Sequence, residues 1–415
     1  MYHERIITGR LQAALAAVPV VVVVGARQVG KSTLMRHLRP QAAAVTFDPV
    51  QDIAQARSDP DLFLASQPRP LILDEIQYVP DLVAAVKRAV DRDRSPGQYL
   101  ITGSQQWQVM ARLTESLAGR ALILDLEGFT IGEIASQAQT WLPQWLDDPK
   151  APPAGLVPPP YSFAEQLWRG FLPEAQTLPA QLISDFHRSY QATYVERDVR
   201  QMAALSDWGL FGRFVRLLSA LTAQEINRAQ LGRELGINPQ TAAAWVETLR
   251  ATCQWHEVEP FHGNTLKRLS RKPKGYAADS GQVCASLAIP SPQALVDHPS
   301  WGAIVETALV GDIRRQTQIM ATRPQISHWR SHGGAEVDLI LAYNGRLHPI
   351  EMKGNSHPTR ADMRGITAWR STYPDHAQDP ALILAPVAAA YQIADTCWVI
   401  PWNATVAHPT DQNPV

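Results

Sequence analysis

The sequence predicts an α/β protein in which a doubly wound parallel sheet is followed by a helical region and a second, carboxyl-terminal α/β unit. Five consecutive valines at 20–24 are typical of a strand that is buried on both faces. Short apolar strands then alternate with helical stretches up to residue 126, as in doubly wound sheets. Near the carboxyl terminus, Asn344-Gly345 separates two apolar runs, which is the strongest short signal for a β-hairpin.

The composition is that of a protein with several cores and almost no net charge. The 415 residues suggest about two to four domains at roughly 150 residues each. With 38 Lys and Arg against 39 Asp and Glu, the net charge is −1, which excludes a uniformly basic nucleic-acid coat protein and a long acidic disordered chain. The cysteines form no CxxC pair, which argues against a disulfide framework or a zinc site. The longest apolar stretch, 13–26, is too short to span a bilayer, so we expect a cytoplasmic protein without a membrane partner.

The first region contains four recognisable strands and a phosphate-binding loop. The strands are predicted at 20–24, 71–73, 99–102 and 121–126, with a helix at 81–90. Residues 25–32 read GARQVGKS, the spacing G-x-x-x-x-G-K-[ST], and a helix begins at Lys31. Gly25 and Gly30 allow the backbone N–H groups to point at phosphates, Lys31 reaches the β- and γ-phosphates, and the Ser32 hydroxyl binds Mg²⁺. The residues predicted to bind ATP or ADP are Gly25, Ala26, Arg27, Gln28, Val29, Gly30, Lys31, Ser32 and Thr33.

Further catalytic residues are predicted at the strand ends. The segment LILDE at 71–75 supplies Asp74, which would hold Mg²⁺ through water, and Glu75, which would take a proton from the attacking water. Ser104, after the third strand, would orient that water or sense the γ-phosphate; alternatively it is only a turn serine. Arg120 would neutralise transition-state charge across a subunit interface, which predicts a homo-oligomer such as a ring; alternatively it is a surface arginine.

The middle of the chain is predicted to be helical. Residues 147–160 carry six prolines and indicate an extended loop or linker without its own function, and a helical pattern runs from Phe163 to about Ser206. A helix at 229–235, a turn at Gly236-Ile237-Asn238 and a helix over 239–250 form a helix-turn-helix pattern. Strand-like residues at 255–260 and a Gly-Asn turn at 263–264 would form a wing.

This region is also locally basic. Residues 186–275 carry 13 Lys and Arg against 8 Asp and Glu. We expect phosphate contacts from the cluster Lys267, Arg268, Arg271, Lys272 and Lys274, and base contacts from Gln240 and Thr241 at the start of the second helix. DNA is therefore a predicted partner. The alternative is that the same fold serves as a protein-docking module or a spacer.

The hairpin places carboxylates opposite one another. A two-residue type I′ turn at Asn344-Gly345 pairs Tyr343 with Arg346, so Asp338 falls opposite Glu351 and Glu336 opposite Lys353. Alternation puts Asp338, Glu351 and Lys353 on one face.

Like charges that face each other destabilise a sheet, and a divalent cation (Mg²⁺ or Mn²⁺) between Asp338 and Glu351 would compensate. Glu306 would add a further metal ligand, and Lys353 would orient or deprotonate an attacking water. Asp followed by Glu-x-Lys on adjacent strands is the PD-(D/E)XK nuclease pattern. The alternative is an exposed hairpin face with Glu336–Lys353 and Lys353–Glu351 ion pairs.

These motifs resemble those of the AAA-type P-loop ATPases of bacteria and archaea, through the phosphate loop, the LILDE strand and the TGS strand end. The segments YVERDV at 194–199 and KPKGYAADSG at 272–281 look like those of the group with a carboxyl-terminal domain of unknown function and a restriction-endonuclease-like fold. The resemblance implies an ATPase core (1–128), a helical lid with the Pro-rich insertion (129–204), a winged helix (205–290) and a nuclease-like α/β domain (291–415). It also implies that Arg197 senses nucleotide from the lid, unless Arg197 serves a salt bridge within its own segment.

Two functions are consistent with this sequence. In the first, an ATP-hydrolysing AAA-type ATPase is coupled through the winged helix to a nuclease-like domain and acts on DNA. In the second, ATP sets the oligomeric state of a switch or signalling scaffold, and the nuclease-like domain is catalytically inactive and docks a protein partner.

Overall fold

The computed structural model describes residues 2–48, 53–103, 117–153, 155–195, 207–261 and 272–405. Its first part is a five-stranded parallel sheet with helices on both faces. The strands are β1 (Val20–Val24), β2 (Ala43–Thr46), β3 (Leu71–Asp74), β4 (Tyr99–Gly103) and β5 (Ala121–Asp125), in the spatial order β2-β3-β4-β1-β5. The helices are α1 (Thr8–Ala17), α2 (Lys31–Leu38), α3 (Ile53–Ser58), α4 (Pro60–Ala65) and α5 (Leu82–Arg92).

The valine strand lies at the centre of this sheet, as its sequence predicts. All five valines of β1 are buried, and β1 pairs in parallel with β4 on one side and β5 on the other. Val21 and Val23 belong to the hydrophobic core on one face of the sheet, and Val20, Val22 and Val24 to the core on the other face. The four predicted strands are therefore confirmed. Strand β2 was not predicted; it is short, and its side chains alternate between half-buried and exposed.

The region after the sheet is broken into short helices. Its elements are α6 (Ile131–Ile134), α7 (Leu142–Asp147), β6 (Gly155–Leu156), α8 (Phe163–Arg169) and α9 (Ile183–Tyr190), followed by a π-helical turn at Gln191–Val195. The helical pattern predicted from Phe163 is present up to Val195, but as short helices, because α8 ends at Gly170, whose φ of 76° is left-handed. The Pro-rich segment is an extended loop, as predicted. It is anchored to the rest of the chain, because Val157 is buried and its N–H donates to the carbonyl of Asn403 at 3.0 Å.

The 205–290 region contains the predicted helix pair. Its elements are α10 (Trp208–Ala220), β7 (Gln224–Glu225), α11 (Arg228–Leu235), α12 (Pro239–Ala251), β8 (Trp255–Pro260), β9 (Lys274–Ala277) and α13 (Ser280–Ser286). Gly236 ends α11 with a φ of 69°, and the Asn238 side chain caps α12 by accepting the N–H of Thr241 at 2.6 Å. The turn predicted at 263–264 lies outside the described residues.

The carboxyl-terminal part contains one long helix and a hairpin. Its elements are α14 (Pro292–Val296), α15 (Trp301–Thr317), β10 (Gln325–Arg330), β11 (Glu336–Tyr343), β12 (Arg346–Met352), α16 (Arg364–Thr372), β13 (Ala381–Ala385), β14 (Tyr391–Ala394), β15 (Cys397–Pro401) and β16 (Ala404–Thr405).

One nine-stranded sheet joins the last two regions, in the order β14-β15-β13-β12-β11-β10-β8-β9-β7. It crosses the boundary predicted at residue 290, because β8 pairs in parallel with β10. The division into four domains stays a prediction. Among the residues described, none of the helices has the length and apolar character needed to cross a membrane.

Candidate functional site

The loop between β1 and α2 has the backbone conformation that phosphate binding requires. Gly25 has a φ of 155°, and a side chain there would collide with the carbonyl of Leu126. Gly30 has a φ of 95° and precedes the first residue of α2. The buried Lys31 ammonium donates to the carbonyls of Gly25 at 3.0 Å and Ala26 at 2.8 Å. Burial lowers the pKa of Lys31, with the charge of Glu75 opposing this shift.

A buried carboxylate with hydroxyl partners lies beside this loop. Ser32 Oγ donates to Asp74 Oδ1 at 2.8 Å, Thr102 Oγ1 donates to the same oxygen, and Thr46 Oγ1 donates to Oδ2 at 3.4 Å. An Asp carboxylate and a Ser hydroxyl in contact are oxygen ligands of the kind that Mg²⁺ takes. The predicted metal ligands Ser32 and Asp74 are therefore brought together and fit the ion.

Glu75 is held in a conformation that non-glycine residues rarely adopt. Its φ of 60° and ψ of 47° are left-handed, which costs on the order of 1–3 kcal/mol and is characteristic of functional sites. Its backbone N–H donates to Thr102 Oγ1 at 3.2 Å, and the Gln77 amide donates to its carboxylate. The half-buried Glu75 thus directly follows β3, and its charge interacts with Lys31 of the phosphate loop.

Of the other residues predicted for this site, Arg120 does not join the group. Ser104 and the lid residue Arg197 lie outside the described residues. Arg120 lies at the amino end of β5, whereas the phosphate loop follows the carboxyl end of β1. Because β1 and β5 are parallel, Arg120 lies at the other edge of the sheet, where its guanidinium donates to Asp91 Oδ1 at 2.6 Å. Its action across a subunit interface stays a prediction.

Two further residues contact the loop and were missed by the sequence analysis. Arg5 donates to the carbonyl of Val29 at 2.7 Å and pairs with Glu133 at 3.0 Å. Tyr190, in α9, donates to the carbonyl of Arg27 at 3.0 Å. Both are distant from the loop in the chain, so no local pattern could have indicated them.

Thr102 was also missed, although a signal was available. The pairing of Leu73 with Ile101 brings the next residues, Asp74 and Thr102, together at the carboxyl ends of neighbouring strands.

A cavity of about 290 Å³ adjoins the loop on the side of α2. Its walls include Tyr2, His3, Val29, Thr33 and Phe129. Aromatic and small side chains next to a phosphate loop suit a flat heterocyclic base.

The long helix of the carboxyl-terminal part ends beside the phosphate loop. Glu127, two residues after β5, accepts from Arg314 at 3.2 Å and from Gln318 at 2.8 Å. Burial would raise the pKa of Glu127, but the charges of Arg314 and the neighbouring His256 outweigh it and lower the value to about 2. A second cavity of about 290 Å³, with Gly25, Glu127, His256 and Arg314 in its walls, lies at this junction.

Further contacts hold α15 against the part of the chain that contains the phosphate loop. Asp312 accepts the N–H of Ile131 at 2.9 Å, and Gln316 accepts the N–H of Leu142 at 3.2 Å. Arg10 donates to the carbonyl of Gln318 at 2.5 Å. The phosphate-loop sheet and the carboxyl-terminal part are thus joined by buried polar contacts.

The hairpin has the register that the sequence predicts. Tyr343 pairs with Arg346 and Leu339 with Ile350, and the turn residues Asn344 and Gly345 both have positive φ. Asp338 and Glu351 are both buried, as is Glu306 in α15.

The carboxylates of the hairpin and of α15 form ion pairs with two lysines. We call Glu306, Glu336, Asp338, Glu351, Lys274, Tyr276 and Lys353 the carboxylate cluster. Lys274 Nζ lies 2.6 Å from Glu306 and 3.7 Å from Asp338 and pairs closely with Glu336. Lys353 pairs with Glu351 at 2.7 Å, as one alternative predicted. The expected Glu336–Lys353 pair is replaced by Glu336–Lys274.

This arrangement corrects the expected role of Lys274 in phosphate contact. Its side chain is only 3% exposed, and it is committed to three carboxylates. Lys272 is exposed, whereas Lys267, Arg268 and Arg271 lie outside the described residues. Within the described part of the chain, no group of three or more His, Cys, Asp or Glu side chains has an arrangement suited to a metal ion. The second divalent cation stays a prediction.

Burial shifts the pKa values of this cluster. Burial and the charge of Asp338 raise the pKa of Glu306 to about 8, although Lys274 opposes the shift. Burial and Asp338 likewise raise the pKa of Glu351 well above its ordinary value. For Lys274, the charges of Glu306 and Asp338 exceed the opposing effect of burial and raise the pKa. Tyr276 donates to Glu306 at 2.6 Å.

Comparison with known proteins divides the chain into three matched segments. Residues 17–135 match the family model of an AAA domain, and residues 161–293 and 301–405 match two domains of unknown function, DUF8612 and DUF4143. Uncharacterised proteins of Mycobacterium tuberculosis and Mycobacterium bovis are each 29% identical over 404 residues, covering 97% of this chain and 84% of theirs.

Solved structures are more distant. A Walker-type ATPase of Pyrococcus abyssi is 13% identical with a TM-score of 0.43, covering 68% of this chain and 94% of its own. The RuvB Holliday junction branch migration motor of Thermotoga maritima is 16% identical with a TM-score of 0.31, covering 61% and 88%. Scores below 0.5 do not establish a shared overall fold.

Proposed function

Residues 17–135 form an AAA-type P-loop ATPase domain, and from this premise we propose that the protein hydrolyses ATP and uses the reaction to switch its carboxyl-terminal part between two states. The observation that carries the proposal is the contact of Ser32 and Thr102 with Asp74 beside the strained Glu75. Ser32, Asp74 and Thr102 come from α2, β3 and β4, Glu75 directly follows β3, and the four residues meet beside the phosphate loop.

Each residue has a distinct task in the proposed hydrolysis. The loop N–H groups and Lys31 bind the phosphates, and Ser32 and Asp74 hold Mg²⁺, which supplies charge neutralisation of the phosphates when bound. Glu75 accepts the proton of the attacking water. Thr102 positions the two acids, because its hydroxyl donates to Asp74 and accepts from the Glu75 backbone.

The adenine base is proposed to occupy the cavity beside α2. Phe129 and Tyr2 offer aromatic contact there, and Thr33 of α2 also lines it. Arg5 supports this wall because it fixes the Val29 carbonyl and is itself held by Glu133.

The contacts of α15 beside the phosphate loop support a coupling between ATP hydrolysis and the state of the carboxyl-terminal part. Leu126 donates its N–H to the carbonyl of Val24 at 2.8 Å, immediately before the phosphate loop, and Glu127 is the next residue. A shift of the loop on ATP binding or hydrolysis would therefore act on the Glu127–Arg314 contact and on α15. An Arg314→Ala variant should keep ATP binding but lose the ATP-dependent change in assembly, with the exposed Arg346→Ala as the matched control.

We favour the switch over action on DNA because of the surface of α12. We propose that the 205–290 region is a winged helix that docks a protein. The exposed side chains of α12 include Gln240, Ala244 and Glu247, and its Arg250 pairs with Glu247 at 2.9 Å. This face offers little positive charge to phosphates. DNA action remains the second candidate because three of the basic residues near 267–272 are not described.

The test is ATP turnover by the full chain with Mg²⁺, measured with and without DNA at low salt. We expect turnover that DNA leaves unchanged, and a change in assembly size with a slowly hydrolysed ATP analogue. Turnover that rises with DNA, together with cutting in Mn²⁺, would establish the second candidate. Absence of any ATP turnover under all these conditions would overturn the proposed hydrolysis. Dilution should lower the activity per subunit if Arg120 acts across an interface.

A further inference from the structure

The carboxylate cluster has its own resident cation. We infer that the Lys274 ammonium occupies the place between Glu306, Glu336 and Asp338 that a divalent metal would otherwise take, and that it fastens β9 to the carboxyl-terminal part without metal. This inference concerns the cluster and goes beyond the proposed ATP hydrolysis. It assigns a role to the KPKGY segment, which the proposed function leaves unused.

Geometry supports a lysine in this position. The Lys274 ammonium contacts Glu306 at 2.6 Å and pairs with Glu336, and Asp338 lies 3.7 Å away. A divalent ion would need carboxylate oxygens at about 2.0–2.6 Å. The ammonium lies within that space, so it and a metal ion exclude each other.

The backbone of Lys274 is fixed on both sides. Lys274 pairs with Val258 of β8 and with Glu225 of β7, so it lies in the interior of the sheet. From this fixed backbone position, its side chain contacts three carboxylates. The cation is therefore part of the fold.

The spacing of the segment explains why two of its residues reach the same carboxylate. Side chains two positions apart on a strand point to the same face. Lys274 and Tyr276 accordingly both contact Glu306, at 2.6 Å each. Gly275, between them, faces the opposite side, where a side chain would collide with Trp255.

Helix α16 covers the cluster from another direction. Gly365 approaches so closely that a side chain there would collide with the carbonyl of Glu336 and with the Glu351 carboxylate. Lys353 pairs with Glu351 at 2.7 Å. Each of the four carboxylates thus has an ammonium within ion-pair distance.

The test uses the nucleotide-free full chain and compares Lys274→Ala with Lys272→Ala, which removes an exposed lysine two residues away. Melting temperature is measured in EDTA and in millimolar Mn²⁺. We expect Lys272→Ala to melt like the wild type in EDTA and like the wild type in Mn²⁺. Lys274→Ala should melt about 5–10 °C lower, because the buried Glu306 and Asp338 and the half-buried Glu336 lose their cation.

Mn²⁺ should restore part of the loss in Lys274→Ala, and this restoration should vanish in Lys274→Ala/Asp338→Asn. Three results would overturn the inference: a Lys274→Ala variant that melts like Lys272→Ala, no response of Lys274→Ala to Mn²⁺, or Mn²⁺ binding by the wild type that Asp338→Asn abolishes. The last would make the cluster a metal site with lysine present.

A second measurement applies if Lys274→Ala does not fold. Lys274→Met, Asp338→Asn and Lys274→Met/Asp338→Asn are compared by soluble yield and melting temperature. The double variant removes one cation and one carboxylate, so it should be more stable than Lys274→Met alone. Destabilisation that is additive, with the double variant below both single variants, would refute the inference.

Discussion

The phosphate-loop site and the carboxylate cluster contain the same residue types but combine them differently. In the phosphate-loop site, Lys31 donates to backbone carbonyls, and within the described residues the side-chain partners of Asp74 are hydroxyls. In the carboxylate cluster, Lys274 donates directly to carboxylates. The first arrangement leaves a carboxylate available for a metal ion, whereas the second neutralises it. Whether a carboxylate can bind a metal therefore depends on whether its neighbours are hydroxyls or an ammonium group, more than on its position at a strand end.

The largest effect that tests the difference between the two sites is expected on removal of Lys31, the lysine of the phosphate-loop site. Lys31→Ala should lower ATP turnover by about 10³-fold, because the β- and γ-phosphates lose their main charge partner. Melting temperature should change little compared with Lys274→Ala, since among the described residues the buried ammonium donates to backbone carbonyls. Turnover is measured by phosphate release. Turnover retained in this variant would remove the basis for assigning the phosphate loop.

Glu75→Gln should lower turnover by about 10²–10³-fold while ATP binding persists, because the amide cannot accept the proton of water. Binding is measured with a fluorescent ATP analogue and turnover by phosphate release. Exposed Glu234→Gln, on α11, serves as the matched control. Equal loss of binding and turnover would show that Glu75 has a structural role instead.

A smaller effect is expected at Thr102. Thr102→Val keeps the shape of the buried side chain but removes the hydroxyl that links Asp74 to the Glu75 backbone. We expect kcat to fall by about 10-fold and the Mg²⁺ concentration for half-maximal activity to rise. Thr102→Ser should restore most of the activity. If Thr102→Val matches the wild type, the hydroxyls around Asp74 do not shape the magnesium site.

The smallest effect concerns the pH dependence of stability in the carboxylate cluster. The pKa of Glu306 is raised to about 8 in the folded protein, above the ordinary value of about 4.3 for an unfolded chain. The stabilisation from its protonated form is complete below the unfolded pKa and is lost as pH rises through the folded pKa. Relative to Glu306→Gln, the wild type should lose a few degrees of melting temperature between pH 6 and pH 9. Parallel curves for the two proteins would contradict the raised pKa.

Several features were predictable because they depend on short-range geometry. The phosphate loop lies within eight consecutive residues, and its glycines and lysine have roles set by local backbone shape. The hairpin register followed from the two residues of its turn, and the valine strand from its burial on both faces. The cap of α12 at Asn238 followed from its side-chain chemistry. Each of these depends on neighbours a few residues away.

Other features depended on contacts between distant parts of the chain. Thr102 reaches Asp74 across 28 positions through the pairing of β3 and β4, and Tyr190 reaches Arg27 across 163. The helical pattern after Phe163 gave no sign of the break at Gly170. The basic segment at 267–274 predicted phosphate contacts for each of its lysines, but the Lys274 side chain is buried and contacts carboxylates instead.

By itself, the sequence determined an ATPase-type phosphate loop, the parallel sheet that carries it, and a hairpin with facing carboxylates. Only the tertiary structure decided what neutralises those carboxylates. Lys274 lies 62 positions from Glu336 in the chain, and the pairing of β8 with β10 brings them together. The physical reason is that local conformation depends on neighbouring residues, whereas the electrostatic state of a buried group depends on every charge that packing places around it.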